Sequence, residues 1–244
     1  MCKVSMVHFE NKGLTPLKPL YIKFLHKGLV AYSSKKQVFD GTIKEKYAHD
    51  ICARIHEIDN AFESLSLSIE YLEKTEFHDS AFNFSVHHSF HVENFLLRLT
   101  SVVDRCYKVA GTSILLKKKT IESTHGNSQI LKELKQYSVN AVQAIKDVNK
   151  VVKPLRKMRN KVAHEAGYSN RNLNCLSMIV NIEDPSLLKQ FDNIMTIDQL
   201  KEVIIRDTLD LLKPTIEKMN VNVELLIQSL SHIYQDVVEI ESVQ

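Results

Sequence analysis

Six basic side chains and no acidic one fall between Asp147 and Glu165: Lys150, Lys153, Arg156, Lys157, Arg159 and Lys161, with His164 closing the run. These residue types suit phosphate chemistry. Histidine, with an unperturbed pKa of about 6.5, can take up a proton and return it near neutral pH. Arginine stays charged and presents a planar fork of donors to phosphate oxygens. Cleaving RNA without a metal needs a base for the 2′-hydroxyl, an acid for the leaving 5′-oxygen, and positive charge on the crowded phosphate. Arg159 and His164 supply these tools, and Asn160 can hold the imidazole or the phosphate in place. Lys153, Arg156, Lys157 and Lys161 would add the salt-dependent attraction that a nucleic-acid backbone exerts on cations. The chemistry calls for no metal and no cofactor. Its products would be a 2′,3′-cyclic phosphate and a 5′-hydroxyl.

The spacing constrains how these groups meet. At about 100° per residue, a helix from Pro154 to Ala166 gathers Val151, Val152, Leu155, Met158 and Val162 on one side as a core stripe. Lys153, Lys157, Asn160 and His164 gather on the opposite side, and Arg159 falls at the edge of the stripe. Arg159 and His164 are then about 140° apart around the axis and cannot easily converge on one atom in a straight helix. Either the helix end distorts near Gly167, or a second copy of the chain completes the site. A two-fold dimer that packs these helices together brings both pairs into one cleft, and that arrangement is favoured.

The segment Arg159-Asn160-Lys161-Val162-Ala163-His164 resembles the signature of the HEPN superfamily, in which an Arg precedes a His by four to six intervening residues and a polar residue often follows the Arg. The resemblance is sharp over these six residues and diffuse, as a pattern of long helices, over roughly 42–240. It implies an all-α, HEPN-like bundle of about five long helices that dimerises across the motif, with catalytic roles for Arg159 and His164 and support from Asn160. It also implies a metal-independent ribonuclease of a toxin–antitoxin or antiviral defence system, restrained by an antitoxin or sensor partner. Non-catalytic members of the family are binding or dimerisation modules, so the rival reading is a helical module that holds RNA or a nucleotide uncut. In toxins paired with a nucleotidyltransferase, a Tyr commonly stands two positions after the His. Here that position is Ala166, and the nearest tyrosine is Tyr168.

The elements that must carry the motif are legible in the composition. The chain has 244 residues, 44% of them hydrophobic, so a buried core is feasible. Six Gly, five Pro and no Trp leave too few turn residues for a many-stranded sandwich or barrel, and helices are expected. Helical periodicity runs from about Thr42 to Lys74, from Phe84 to Ala110, through Ile130 to Ile145, from Pro154 to Ala166, and from Thr196 to Glu239. A break is expected at 149–153, a polar loop over Ser169–Asn174, and a short segment over 184–193. Pro214 should kink or split the last helix. Residues 1–40 read as an irregular arm or small hairpin, and 41–244 as one helical domain.

Net charge is only +3, so the distribution of charge carries more weight than its total. Cys2, Cys52, Cys106 and Cys175 lie far apart, which fits neither a zinc knuckle nor a disulfide framework and suits a reducing compartment. No signal-type run or membrane span is apparent, so a cytoplasmic address is expected. His87 and His91 would share a helix face beside His88, but two imidazoles without a third ligand read as a polar helix start. Glu93 and Arg98, near Asn94 and Asp104 on the same helix, are candidates to face and orient the motif helix. Lys117–Lys119 stand either as an extension of an RNA surface or as a solvent loop.

Overall fold

Side-chain caps set several of the helix starts in this computed structural model, which describes residues 7–36, 38–165 and 167–239. In chain order the α-helices are α1 (Lys18–Ser33), α2 (Ile43–Leu72), α3 (Phe84–Ser113), α4 (Lys118–Ile121) and α5 (Gly126–Leu134). They continue with α6 (Val139–Val152), α7 (Arg156–His164), α8 (Arg171–Val180), α9 (Pro185–Asp192) and α10 (Ile197–Glu239). Short 3₁₀ turns occupy His8–Glu10, Lys12–Leu14 and Lys153–Leu155, and no strand occurs among the described residues. The fold is all-α, as the scarcity of turn residues requires.

Local chemistry explains the boundaries. Before α2, the Thr42 N–H donates to Glu45 Oε2 at 2.8 Å and the Glu45 N–H donates to Thr42 Oγ1 at 3.2 Å, a reciprocal capping box. Thr196 and Gln199 repeat it before α10. Asn83, Asn170 and Asp184 accept from the N–H groups of Val86, Leu173 and Ser186, starting α3, α8 and α9.

Three expectations are corrected. The single helix expected through Ile130–Ile145 is two, because Ser138 leaves the helical path and caps α6 by accepting from the Ala141 N–H at 3.1 Å. The polar loop expected over Ser169–Asn174 is mostly helix, since Asn170 acts as an N-cap and α8 begins at Arg171. Pro214 does not split α10, which runs 43 residues as one helix. Pro214 is exposed, so the carbonyl it leaves without an amide faces water. The break expected at 149–153 falls at Lys153–Leu155, where Pro154 opens a 3₁₀ turn. In the described part of residues 1–40, two 3₁₀ turns lead into α1.

The chain divides into two compact units. The first comprises 1–62, 101–151 and 219–244. Its interior is largely aliphatic, with Leu14, Leu17, Ile51, Ile55, Ile145 and Leu230 buried together with the rings of Phe62 and Tyr234. His8 Nδ1 lies 2.8 Å from Asp59 Oδ1, and that carboxylate also accepts the backbone N–H groups of His8 and Phe9. The Tyr47 hydroxyl donates to the Ser113 carbonyl at 2.8 Å, and burial pushes the pKa of this phenol up. Cys52 and Cys106 are buried free thiols whose pKa values burial raises to about 12, which leaves both unreactive.

The second unit comprises 63–100 and 152–218, and it contains α7, α8 and α9. Phe84, Leu173, Leu176 and Ile204 form its apolar centre, with Phe77, Tyr168, Ile197, Leu200 and Ile205 packed around them. His88 is buried beside this centre with Nε2 at 3.0 Å from Thr208 Oγ1, and desolvation lowers its pKa to about 4. Asn94 donates to Ser68 Oγ, and Lys213 pairs with Glu73 at 2.6 Å.

Candidate active site

The motif lies on α7, a nine-residue helix with no buried residue. Met158, Arg159, Lys161 and Val162 are half-buried along it, and both of its ends are anchored as well. At the N-terminal end, Leu155 in the preceding 3₁₀ turn is buried. At the C-terminal end, the Glu165 N–H donates to the Lys161 carbonyl at 2.9 Å, and Glu165 then leaves the helical region with φ −127° and ψ −99°. Gly167 follows at φ +73°, a conformation that favours glycine. The Tyr168 N–H donates to Glu93 Oε1 of α3 at 2.6 Å, and Lys161 Nζ donates to Ser169 Oγ at 3.1 Å. The Tyr168 ring packs on the cluster around Phe84, and its hydroxyl accepts from Asn170 Nδ2 at 2.8 Å.

On this helix, His164, Asn160, Lys157 and Arg156 are exposed, as is Lys153 in the turn before it, while Lys161 and Arg159 are half-buried. Val152 and Leu155 are buried, and Met158 and Val162 half-buried, on the side assigned to the core stripe. Arg159 Nε is buried and has no hydrogen-bond partner among the described residues, a state it shares with His8 Nε2, His88 Nδ1 and Asn220 Oδ1. Buried donors of a cation are normally satisfied, so a polar group left this way calls for an acceptor. No side-chain hydrogen bond joins Arg159, Asn160 and His164 to one another among the described residues. The helix stays α-helical through His164, and the departure from it begins only at Glu165. The divergence of about 140° between Arg159 and His164 therefore stands within one chain. Ala166, the expected end of this helix, lies outside the described residues.

Of the residues considered as orienters, Glu93 meets the segment just beyond the motif, as described above. Asn94 instead points to Ser68. Asp104 is exposed and belongs to the first unit, as do Lys117–Lys119, of which Lys118 and Lys119 form part of the short helix α4 rather than a loop. Gly167 and Tyr168 were not recognisable as anchors from sequence. A glycine directly after a motif helix signals only a stop, and the partner that gives it meaning lies 75 positions away from Tyr168.

The histidine cluster is absorbed by packing. His87 stacks on Phe77 at 3.8 Å between ring centres and has Nε2 at 2.7 Å from Ser80 Oγ. His91 stacks on Tyr71 at 4.6 Å, and burial, together with His87 and Lys74, lowers its pKa. Among the described residues, no three His, Cys, Asp or Glu side chains are grouped to hold a metal ion. None of the described helices is long and apolar enough to cross a membrane.

An all-helical chain with an Arg–His pair on a short basic helix is the arrangement of a HEPN-type protein. The family model described as Cthe2314-like HEPN matches residues 32–238, and the chain belongs to the HEPN superfamily. Comparison with curated proteins and with solved structures finds no match in either case.

Proposed function

We propose that this protein is a metal-independent endoribonuclease of the HEPN type. It works as a homodimer whose cleft is built from two copies of α7, in the cytoplasm, within a toxin–antitoxin or antiviral defence system. The observation that carries this reading is the state of Arg159. The Nε of this half-buried residue has no hydrogen-bond partner among the described residues, on a helix that also presents an exposed His164 and no carboxylate between Arg156 and His164. In this reading the guanidinium turns toward an RNA phosphate, which supplies the acceptor. Membership of the HEPN superfamily, in which many proteins cleave RNA, supports the same reading.

In the proposed reaction, one His164 imidazole takes the proton of the 2′-hydroxyl, and the 2′-oxygen bonds to phosphorus. The bond from phosphorus to the 5′-oxygen breaks, and the leaving oxygen takes a proton from the His164 imidazolium of the other copy. Arg159 holds the negative charge that gathers on the non-bridging oxygens. Asn160 orients the imidazole or the phosphate, while Lys153, Arg156, Lys157 and Lys161 hold the RNA backbone. An antitoxin or sensor protein restrains the activity.

The test is to incubate the full chain with bulk RNA in the presence of a chelator and resolve the fragments. Cleavage is expected, with cyclic phosphate ends. His164→Ala and Arg159→Ala should each reduce it by roughly a hundredfold or more while preserving the helical circular dichroism. RNA that is bound but never cut, or cleavage that the two variants retain, would refute the reading.

A further inference from the structure

Glu93 reaches the motif from another helix, and it does so through the backbone. α7 has no fully buried residue, and Met158, Arg159, Lys161 and Val162 are half-buried, so packing along the helix holds it only in part. The C-terminal exit adds a specific tie close to His164. Only three residues separate His164 from Tyr168, whose N–H is held by Glu93 Oε1 at 2.6 Å. So short a bond between an amide and a carboxylate is of the stronger, charge-assisted kind. A second observation concerns the same oxygen. A Cβ at Gly167 would lie 2.7 Å from the same oxygen, so residue 167 is bare where the carboxylate passes. Its φ of +73° would strain any other side chain as well. The Tyr168 ring then seats in the cluster that includes Phe84 of α3, the helix that also carries Glu93. The exit of α7 is thus pinned to α3 twice, by backbone and by side chain. The further tie from Lys161 to Ser169 is solvent-exposed and holds less firmly.

We infer that Glu93 is a positioning residue for His164: its carboxylate, seated against Gly167, holds the Tyr168 amide and so fixes the last turn of α7. It acts through the chain and touches no RNA. The inference rests on the reading of His164 as catalytic, and it adds a residue outside the motif helix to that site.

The experiment compares wild type, Glu93→Ala and Glu93→Gln as full chains, with thermal melts to show that each is folded. Glutamine keeps an oxygen that can accept the Tyr168 N–H. In RNA cleavage with chelator, Glu93→Ala should lower kcat about tenfold or more with little change in KM, because the reacting group is misplaced while binding cations stay. Glu93→Gln should stay within about threefold of wild type. Should the alanine variant fail to fold, Glu93→Asp, shorter by one methylene, takes its place. Wild-type kcat in Glu93→Ala would overturn the inference. Equal impairment in the glutamine and alanine variants would also overturn it, since the charge itself would then be acting. If wild type cleaves nothing, the nuclease reading fails on its own, and nuclear magnetic resonance decides the inference. Loss of Tyr168 amide protection together with displaced His164 ring signals in Glu93→Ala would uphold it, and unchanged His164 signals would overturn it.

Discussion

His88 shows how a single residue can look like chemistry and serve packing. It is 1% exposed, bonds Thr208 through Nε2, and is kept neutral because burial strips the imidazolium of water. Its folded pKa of about 4 lies below the unfolded value of 6.5, so the unfolded chain takes up the proton first as the pH falls. The stability contributed by neutral His88 is therefore complete above pH 6.5 and is lost progressively down to about pH 4. A difference of this size corresponds to about 3 kcal/mol. Urea unfolding at pH 7 and pH 4.5 should show this loss in wild type, and His88→Gln, which cannot titrate, should flatten the slope. An identical slope in the variant would mean that other groups set it. Arg159 stands closer to His88 than residue type suggests. His88 Nδ1 and Arg159 Nε are both buried without a hydrogen-bond partner among the described residues, and position separates them: His88 is 1% exposed, while Arg159 is half-buried on a helix that also presents the exposed His164.

At the scale of elements, the caps and breakers decide where helices begin, while burial decides whether a breaker succeeds. Pro154 sits where α6 gives way to the 3₁₀ turn before α7, and it helps set the start of the motif helix. Pro214 fails to end α10, since Leu212, Ile216 and Met219 on the other face are buried and hold the helix together. Pro214 nonetheless lacks the amide that an interior helix position would use, and its position is exposed. Pro214→Ala should therefore stabilise the protein by about 1–3 kcal/mol, read as a higher Tm in thermal unfolding. An unchanged or lower Tm would show that proline's restriction of the unfolded chain outweighs the missing bond. The periodicity of α2, α3 and α10 is visible in sequence because three- and four-residue spacing of apolar side chains is a local property. The Ser138 cap and the start of α8 are less visible, since serine and asparagine are equally common in loops.

At the scale of the whole molecule, the open matter is how Arg159 and His164 meet. The regular helix through His164 keeps them apart within one chain, which is the reason for assigning the cleft to a dimer. A subunit-mixing experiment follows from that geometry. The shared cleft uses the imidazole of both copies, so a dimer of one wild-type and one His164→Ala chain lacks either the base or the acid. With random pairing of equal amounts, cleavage should fall to about half of what the same wild-type chains give alone. Cleavage equal to that of the wild-type chains alone would place both groups of a site in a single chain. A sizing measurement on wild type gives the companion result, an apparent mass near twice 28.0 kDa.

What the amino-acid order determines by itself is local. The helical class, the basic run on α7 and the outward face carrying Lys153, Lys157, Asn160 and His164 follow from residue type and a period of 3.6, and they needed no partner to be read. Tertiary structure alone decided that Arg159 Nε is buried without a partner among the described residues and that Glu93 holds the Tyr168 amide beside a bare Gly167. It also decided that the histidines at 87, 88 and 91 are taken up by Ser80 and Phe77, Thr208 and Tyr71. Most of these relations join residues far apart in the chain. They depend on which helix faces pack together, and spacing along a single helix carries no record of that.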